Sequence, residues 1–258
     1  MPESIPFQTI AVSYVALLLS LSVHECAHAA SAYWLEDDTA RRLGRMTLNP
    51  LAHIDLLGTL LLPLLGMVTG WRVLGWAKPV PVDPRNLTRK FPQRIGMAMV
   101  AGAGPGSNIL LSFVCMALLA IAVRVFVSGF EGASASYLSH FKQNIFMGAM
   151  YAPVEKFSDL PDISMGMIFT ITLLGRMVSI NIGLAIFNLL PFGPLDGASI
   201  LRGFLPWRLL PAFDKVQPVL SIVILVMFFV GLIKYILGPL FWLADAFYIR
   251  PLSKLFLV

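Results

Sequence analysis

His24-Glu25-Cys26-Ala27-His28 sets two imidazoles and a carboxylate within one turn of chain. On an α-helix, positions four apart share a face, so His24 and His28 can bind a single metal ion while Glu25 stands beside them to handle protons. Zinc in a catalytic site takes three protein ligands and keeps a fourth position for water, whose pKa it lowers to about 7. The third ligand must therefore come from elsewhere in the chain. Asn188-Leu-Leu-Pro191-Phe-Gly-Pro194-Leu195-Asp196-Gly197 follows a later apolar run, and Asp196 is the only carboxylate between Asp162 and Asp214. The expected site is one zinc ion per chain held by His24, His28 and Asp196, with Glu25 as catalytic base. Chance would produce an HExxH in on the order of one chain in a hundred.

The surroundings of the motif sharpen this reading. It lies in an apolar stretch from about Phe7 to Leu35, long enough to cross a bilayer. Ionisable side chains in hydrocarbon are costly and mark functional sites unless neighbouring helices satisfy them. The whole chain is apolar: 57% of its 258 residues are hydrophobic, 13% are charged and the mean hydropathy is +0.79. That composition excludes an ordinary soluble domain and predicts a polytopic membrane protein. The first apolar segment is too long for a cleavable signal, lacks a basic leader and carries the metal motif. Cys26 points away from the His24 and His28 face and reads as packing; with Cys115 it forms no disulfide framework. The net charge of +5 does not indicate nucleic acid, because the basic residues flank apolar spans as topology signals do.

Five segments carry the apolar length: about 8–35, 54–76, 94–127, 164–196 and 217–249. Arg41, Arg42 and Arg45 precede the second segment and Arg85, Arg89, Lys90 and Arg94 follow it, so both its ends read as cytoplasmic. Gly58, Pro63, Gly66 and Gly70 would let it enter and return as a re-entrant hairpin; a simple crossing is the alternative. The N-terminal tail, with Glu3, and the acidic 128–163 loop read as external, whereas Arg202, Arg208 and Lys215 read as cytoplasmic. The two metal motifs then face the cytoplasmic leaflet. A continuous helix from Arg176 to Asp196 would rise about 30 Å, which sets Arg176 near the outer interface as a structural arginine and makes 163–175 a separate interfacial or tilted element.

HExxH in one transmembrane helix, followed far downstream by N-x-x-P-x-x-x-L-D-G, resembles the site-2 protease family of intramembrane zinc metalloproteases, peptidase family M50. Ala101-Gly-Ala-Gly104-Pro105-Gly-Ser-Asn108 is similar to the glycine-rich segment of that family's central core helix, so the resemblance covers about residues 20–205. It implies an all-α polytopic membrane protein in which a three-helix catalytic core is joined by additional membrane helices, as one membrane-embedded peptidase domain over 1–258 without a PDZ insertion. It implies a zinc endopeptidase that cuts transmembrane segments of other proteins, in a multi-pass protein of the cell membrane whose partners are its substrate and the bilayer, with no nucleic acid.

Several residues keep more than one reading. Asn188 can donate and accept at once and suits an unwound substrate backbone, or it packs a helix. Gly104, Gly106 and Asn108 read as a close helix contact with one amide bonding across it. His53 is open as an alternative ligand, a partner of a zinc imidazole or a cap, and Asp55 reads as a helix cap. Residues 75–83 read as a short interfacial β segment that guides substrate by edge pairing, a role the resemblance implies. A noncatalytic metal carrier and a family member that binds membrane segments without cutting them are the competing classes.

Overall fold

A computed structural model describes residues 7–62, 65, 76–128, 135–152, 157 and 163–257. Among them the regular structure is helical: α1 Phe7–Trp34, α2 Thr39–Arg42, α3 Gln93–Val127, α4 Ala135–Tyr151, α5 Met165–Asn188, α6 Asp196–Phe204, α7 Leu210–Val230, α8 Lys234–Ala244 and α9 Arg250–Leu257. Short 3-10 or π turns occupy Pro50–Ala52, Leu56–Leu61, Trp207–Leu209 and Asp245–Ile249. Four helical stretches among the described residues are long and apolar enough to cross a membrane: Phe7–Trp34, Gln93–Val127, Met165–Asn188 and Trp207–Val230. The chain is an all-α polytopic membrane protein, and its many exposed leucines, valines and phenylalanines are the surface such a protein offers to lipid.

The elements depart from the expected segments in four places. The 164–196 run is not one helix: α5 stops at Asn188 and α6 starts afresh at Asp196. Pro191 supplies no N–H and disfavours helical backbone at Leu190, which ends the helix. With 24 residues α5 is about 36 Å long, so it spans without the stretch to Asp196, and residues 165–175 belong to the same helix as Arg176 rather than to a separate interfacial element. The 217–249 run is also divided, because Gly231 takes the left-handed conformation at φ 83° that caps α7. The segment expected as an external loop contains α4, 17 residues long. Finally, residues 76–83 take no regular secondary structure, and no strand occurs among the described residues. Most of 63–75, where crossing and re-entry would differ, lies outside the described residues.

The chain divides into two compact units. One comprises Met1–Ser20, Ile109–Gly183 and Phe241–Val258. Its core holds Met116, Leu119, Phe146, Met150, Ile171 and Val178, all buried. Gly175 permits close contact with α4, since a Cβ there would stand 2.4 Å from the Ala149 carbonyl oxygen. Arg176 donates to Met150 O at 3.0 Å and to Ala152 O at 2.5 Å, capping the carbonyls that α4 leaves open at its C-terminus. It is a structural arginine. The other unit comprises Leu21–Asn108 and Leu184–Leu240 and holds every residue of the expected site. There Ala32 and Leu35 pack with Leu87 and Val100, and Val82 and Met97 lie against them.

Candidate metal centre

Within the second unit α1 carries His24 and His28 on one face, and their Nε2 atoms stand 3.0 Å apart. Asp196, first residue of α6, brings Oδ2 to 3.2 Å from His24 Nε2 and Oδ1 to 3.4 Å from His28 Nε2. One ligand atom from each of the three residues falls within 4.8 Å of the others. The far side of each imidazole decides what these atoms can do. His28 Nδ1 is 2.8 Å from Val100 O, which can only accept, so Nδ1 carries the hydrogen. His24 Nδ1 is 2.6 Å from Asn108 Oδ1, which assigns the same tautomer. In the neutral form each ring therefore turns a bare lone pair inward. Asp196 Oδ2 is buried and has no hydrogen-bond donor. Lone pairs without a proton to share repel at this distance; a divalent cation among them turns repulsion into coordination. The donor set fits zinc, with Asn108 and Val100 as the outer partners that orient the rings.

Glycines make the approach possible. A Cβ on Gly104 would lie 2.5 Å from His28 Nε2 and 2.6 Å from His24 Cε1, so only hydrogen fits where α3 crosses the two rings. Asn108, four residues on, shares that helix face and reaches His24. Its contact is thus with a candidate ligand and is more than a helix-packing bond; an amide side chain four residues from a glycine in an apolar run is the available signal. Gly106 meets nothing within 4 Å. A Cβ on Gly197 would come within 2.3 Å of Leu190 O, which accounts for the glycine after Asp196. For Gly104→Ala we expect zinc affinity lowered by about 10–100-fold and stability lowered by about 1–3 kcal/mol from overpacking. Zinc titration and thermal unfolding of the purified variant measure both, and wild-type affinity would remove Gly104 from the centre.

Glu25 is buried, and its Oε2 accepts the Val80 N–H at 2.9 Å. The 76–83 chain that supplies this N–H, outside any regular element, is anchored along its length. Lys78 N donates to His53 O at 2.9 Å, buried Arg45 donates through Nη2 to Lys78 O at 2.6 Å, and Asp83 N donates to Asp37 Oδ2 at 2.8 Å. Arg45, legible in sequence only as a topology charge, is thus a clamp on the strip beside Glu25. Asp37, just beyond α1, is fully buried. Burial raises its pKa, but bonds from the Thr39 hydroxyl, Asp83 N, Thr39 N and Asn86 Nδ2 favour the carboxylate and hold it below the ordinary 3.8. A depressed carboxylate stabilises the fold above its unfolded pKa, and the contribution is lost as pH falls through the folded value. Asp37→Asn is expected to cost about 1–3 kcal/mol at pH 7. In thermal unfolding at a series of pH values the gap from wild type should narrow below about pH 4; a gap constant to pH 3 would refute it.

The remaining expected residues are placed as follows. His53 is buried, donates through Nε2 to Thr47 O at 2.8 Å, and is outside the converging triplet. Asp55 caps the Leu56–Leu61 turn by accepting from Leu57 N at 3.1 Å and Gly58 N at 2.7 Å. Asn188 is the half-buried last residue of α5. Cys26 is a free, half-buried thiol outside the triplet.

Comparison with known proteins places the chain among zinc metalloproteases by sequence. The chain is 31% identical over 235 residues, 91% of its own length and 88% of the relative's, to the Bacillus subtilis (strain 168) protein named "Putative zinc metalloprotease YwhC". No solved structure matches it. The sequence model of Peptidase family M50 matches residues 12–231, a span that contains His24–His28, Gly104–Asn108 and Asp196. With that match over most of its length and a 31% identical relative, the chain belongs to peptidase family M50.

Proposed function

We propose that the protein is a zinc-dependent endopeptidase that hydrolyses peptide bonds within or near transmembrane segments of other membrane proteins, with one zinc per chain and its active site toward the cytoplasmic leaflet of the cell membrane. The observation that carries this reading is the convergence of one ligand atom from each of His24, His28 and Asp196 beside the buried carboxylate of Glu25, the histidines and Glu25 lying on a helix apolar enough to cross a membrane. A metal held by His24, His28 and Asp196 supplies Lewis acidity toward water and a carbonyl oxygen. Glu25 has one oxygen anchored by Val80 N–H and the other without a hydrogen bond among the described residues, free to take a proton from water and return it to the leaving amine. A substrate helix shields its carbonyl carbons, so it must unwind locally. The side chain of Asn188 makes no hydrogen bond among the described residues and suits pairing with the backbone so exposed.

The test reconstitutes the zinc-loaded protein in liposomes with a single-span model substrate and maps the fragments by mass spectrometry. Cuts in or beside the span support the reading. Zinc bound without cleavage of any of several spans would favour a protein that binds metal or membrane segments without hydrolysis, and cuts confined to distant soluble loops would remove the intramembrane assignment.

A further inference from the structure

The turn from α5 to α6 must deliver Asp196, yet it is poor in its own hydrogen bonds. Pro191 and Pro194 have no N–H, and the bonds made inside the turn are Phe192 N to Leu190 O at 2.8 Å and Leu195 N to Phe192 O at 2.9 Å. Pro191 O, Gly193 N and Gly193 O are left to find partners, and unpaired backbone groups away from water are costly. Two side chains one turn apart on α7 meet all three. Gly193 N donates to Gln217 Oε1 at 2.7 Å, Gln217 Nε2 donates to Pro191 O at 3.2 Å, and Ser221 Oγ donates to Gly193 O. A bidentate pair from Arg202 of α6 to Asp214 of α7, at 2.8 and 3.0 Å, adds a second tie nearby. Helix α7 has no fully buried residue, and these polar ties join its half-buried face to the metal-bearing segment.

We propose that Gln217, assisted by Ser221, is a positioning residue for the metal centre: by holding both sides of the 191–193 turn it fixes Asp196, three residues past Gly193, and so sets how long the site retains zinc. The inference rests on the zinc reading above. A metal ligand has to be held to within about 0.5 Å of its productive place. A turn without its clamp lets the carboxylate swing off the ion and opens it to exchange.

The experiment follows zinc release to an excess of chelator from the full-length protein in detergent, for wild type, Gln217→Leu, Gln217→Glu, Ser221→Ala and, as a control, Val223→Ala on the exposed face of α7. Gln217→Leu should release zinc about tenfold faster. Ser221→Ala should shift in the same direction by less. Gln217→Glu, which keeps the acceptor for Gly193 N and loses the donor to Pro191 O, should fall between Gln217→Leu and wild type, and Val223→Ala should match wild type. The cobalt-loaded Gln217→Leu protein should also show altered visible bands, which a loss of stability alone would not produce. If that variant does not fold, Gln217→Glu and Ser221→Ala decide the question. Wild-type release and unaltered cobalt bands in the folded clamp variants would overturn the proposal, as would equal acceleration in Val223→Ala. A wild-type protein that holds no zinc would instead overturn the metal reading, before any variant is compared.

Discussion

Glu25→Gln is expected to abolish peptide hydrolysis and leave zinc in place. Glutamine matches glutamate in shape, and its amide oxygen can still accept the Val80 N–H that holds Oε2 at 2.9 Å. The imidazoles keep their outer bonds to Asn108 and Val100, and Asp196 is untouched. What disappears is a group able to take a proton from water and hand it to the departing amine. Such transfer contributes about 10²–10⁴ in rate, so turnover of the single-span substrate should drop by at least that range while metal analysis still finds zinc at the wild-type level. Residual activity above about a tenth of wild type would be too high for the loss of the general base and would move the proton acceptor elsewhere.

For Asp196→Ala the order reverses, and the metal is lost first. The two bare Nε2 atoms remain 3.0 Å apart, but two ligands do not complete a zinc site. Affinity should fall by more than about a hundredfold, beyond the loss seen for outer partners. Asp196→Asn keeps the shape and one oxygen without the charge, and should bind more weakly than wild type and more tightly than the alanine variant. Competition with a chelator of known affinity measures the three proteins side by side. Zinc held at wild-type strength by Asp196→Ala would require a substitute ligand. His53 would have to leave its bond to Thr47 O to serve, and His53→Ala in that background would show whether it does.

The local parts of this protein are readable from the chain. Four-residue spacing on a helix puts His24 and His28 on one face, and apolar runs of bilayer length mark membrane helices, because helical period and hydrocarbon thickness are fixed. Asp196 could be singled out by the lack of any rival carboxylate nearby. Pro191 and Pro194 mark a break in the helix just before Asp196, because proline supplies no N–H, although the apolar run alone extends to about 196.

What only the tertiary structure decided is which distant groups meet. Asn108 lies 84 residues from His24 and sets its tautomer; Val80 lies 55 residues from Glu25 and holds its carboxylate; Gln217 lies 24 residues from Gly193 and holds the turn ahead of Asp196. The same is true of Arg45, which reads as a surface charge until its carbonyl partners at Lys78 and Pro79 are known. Residue type and spacing single out the proposed ligands His24 and His28 and the proposed base Glu25, because those roles need particular atoms on a helix of known pitch. The groups that orient them are backbone carbonyls, backbone N–H groups and common polar side chains, present everywhere in the chain and selected only by packing.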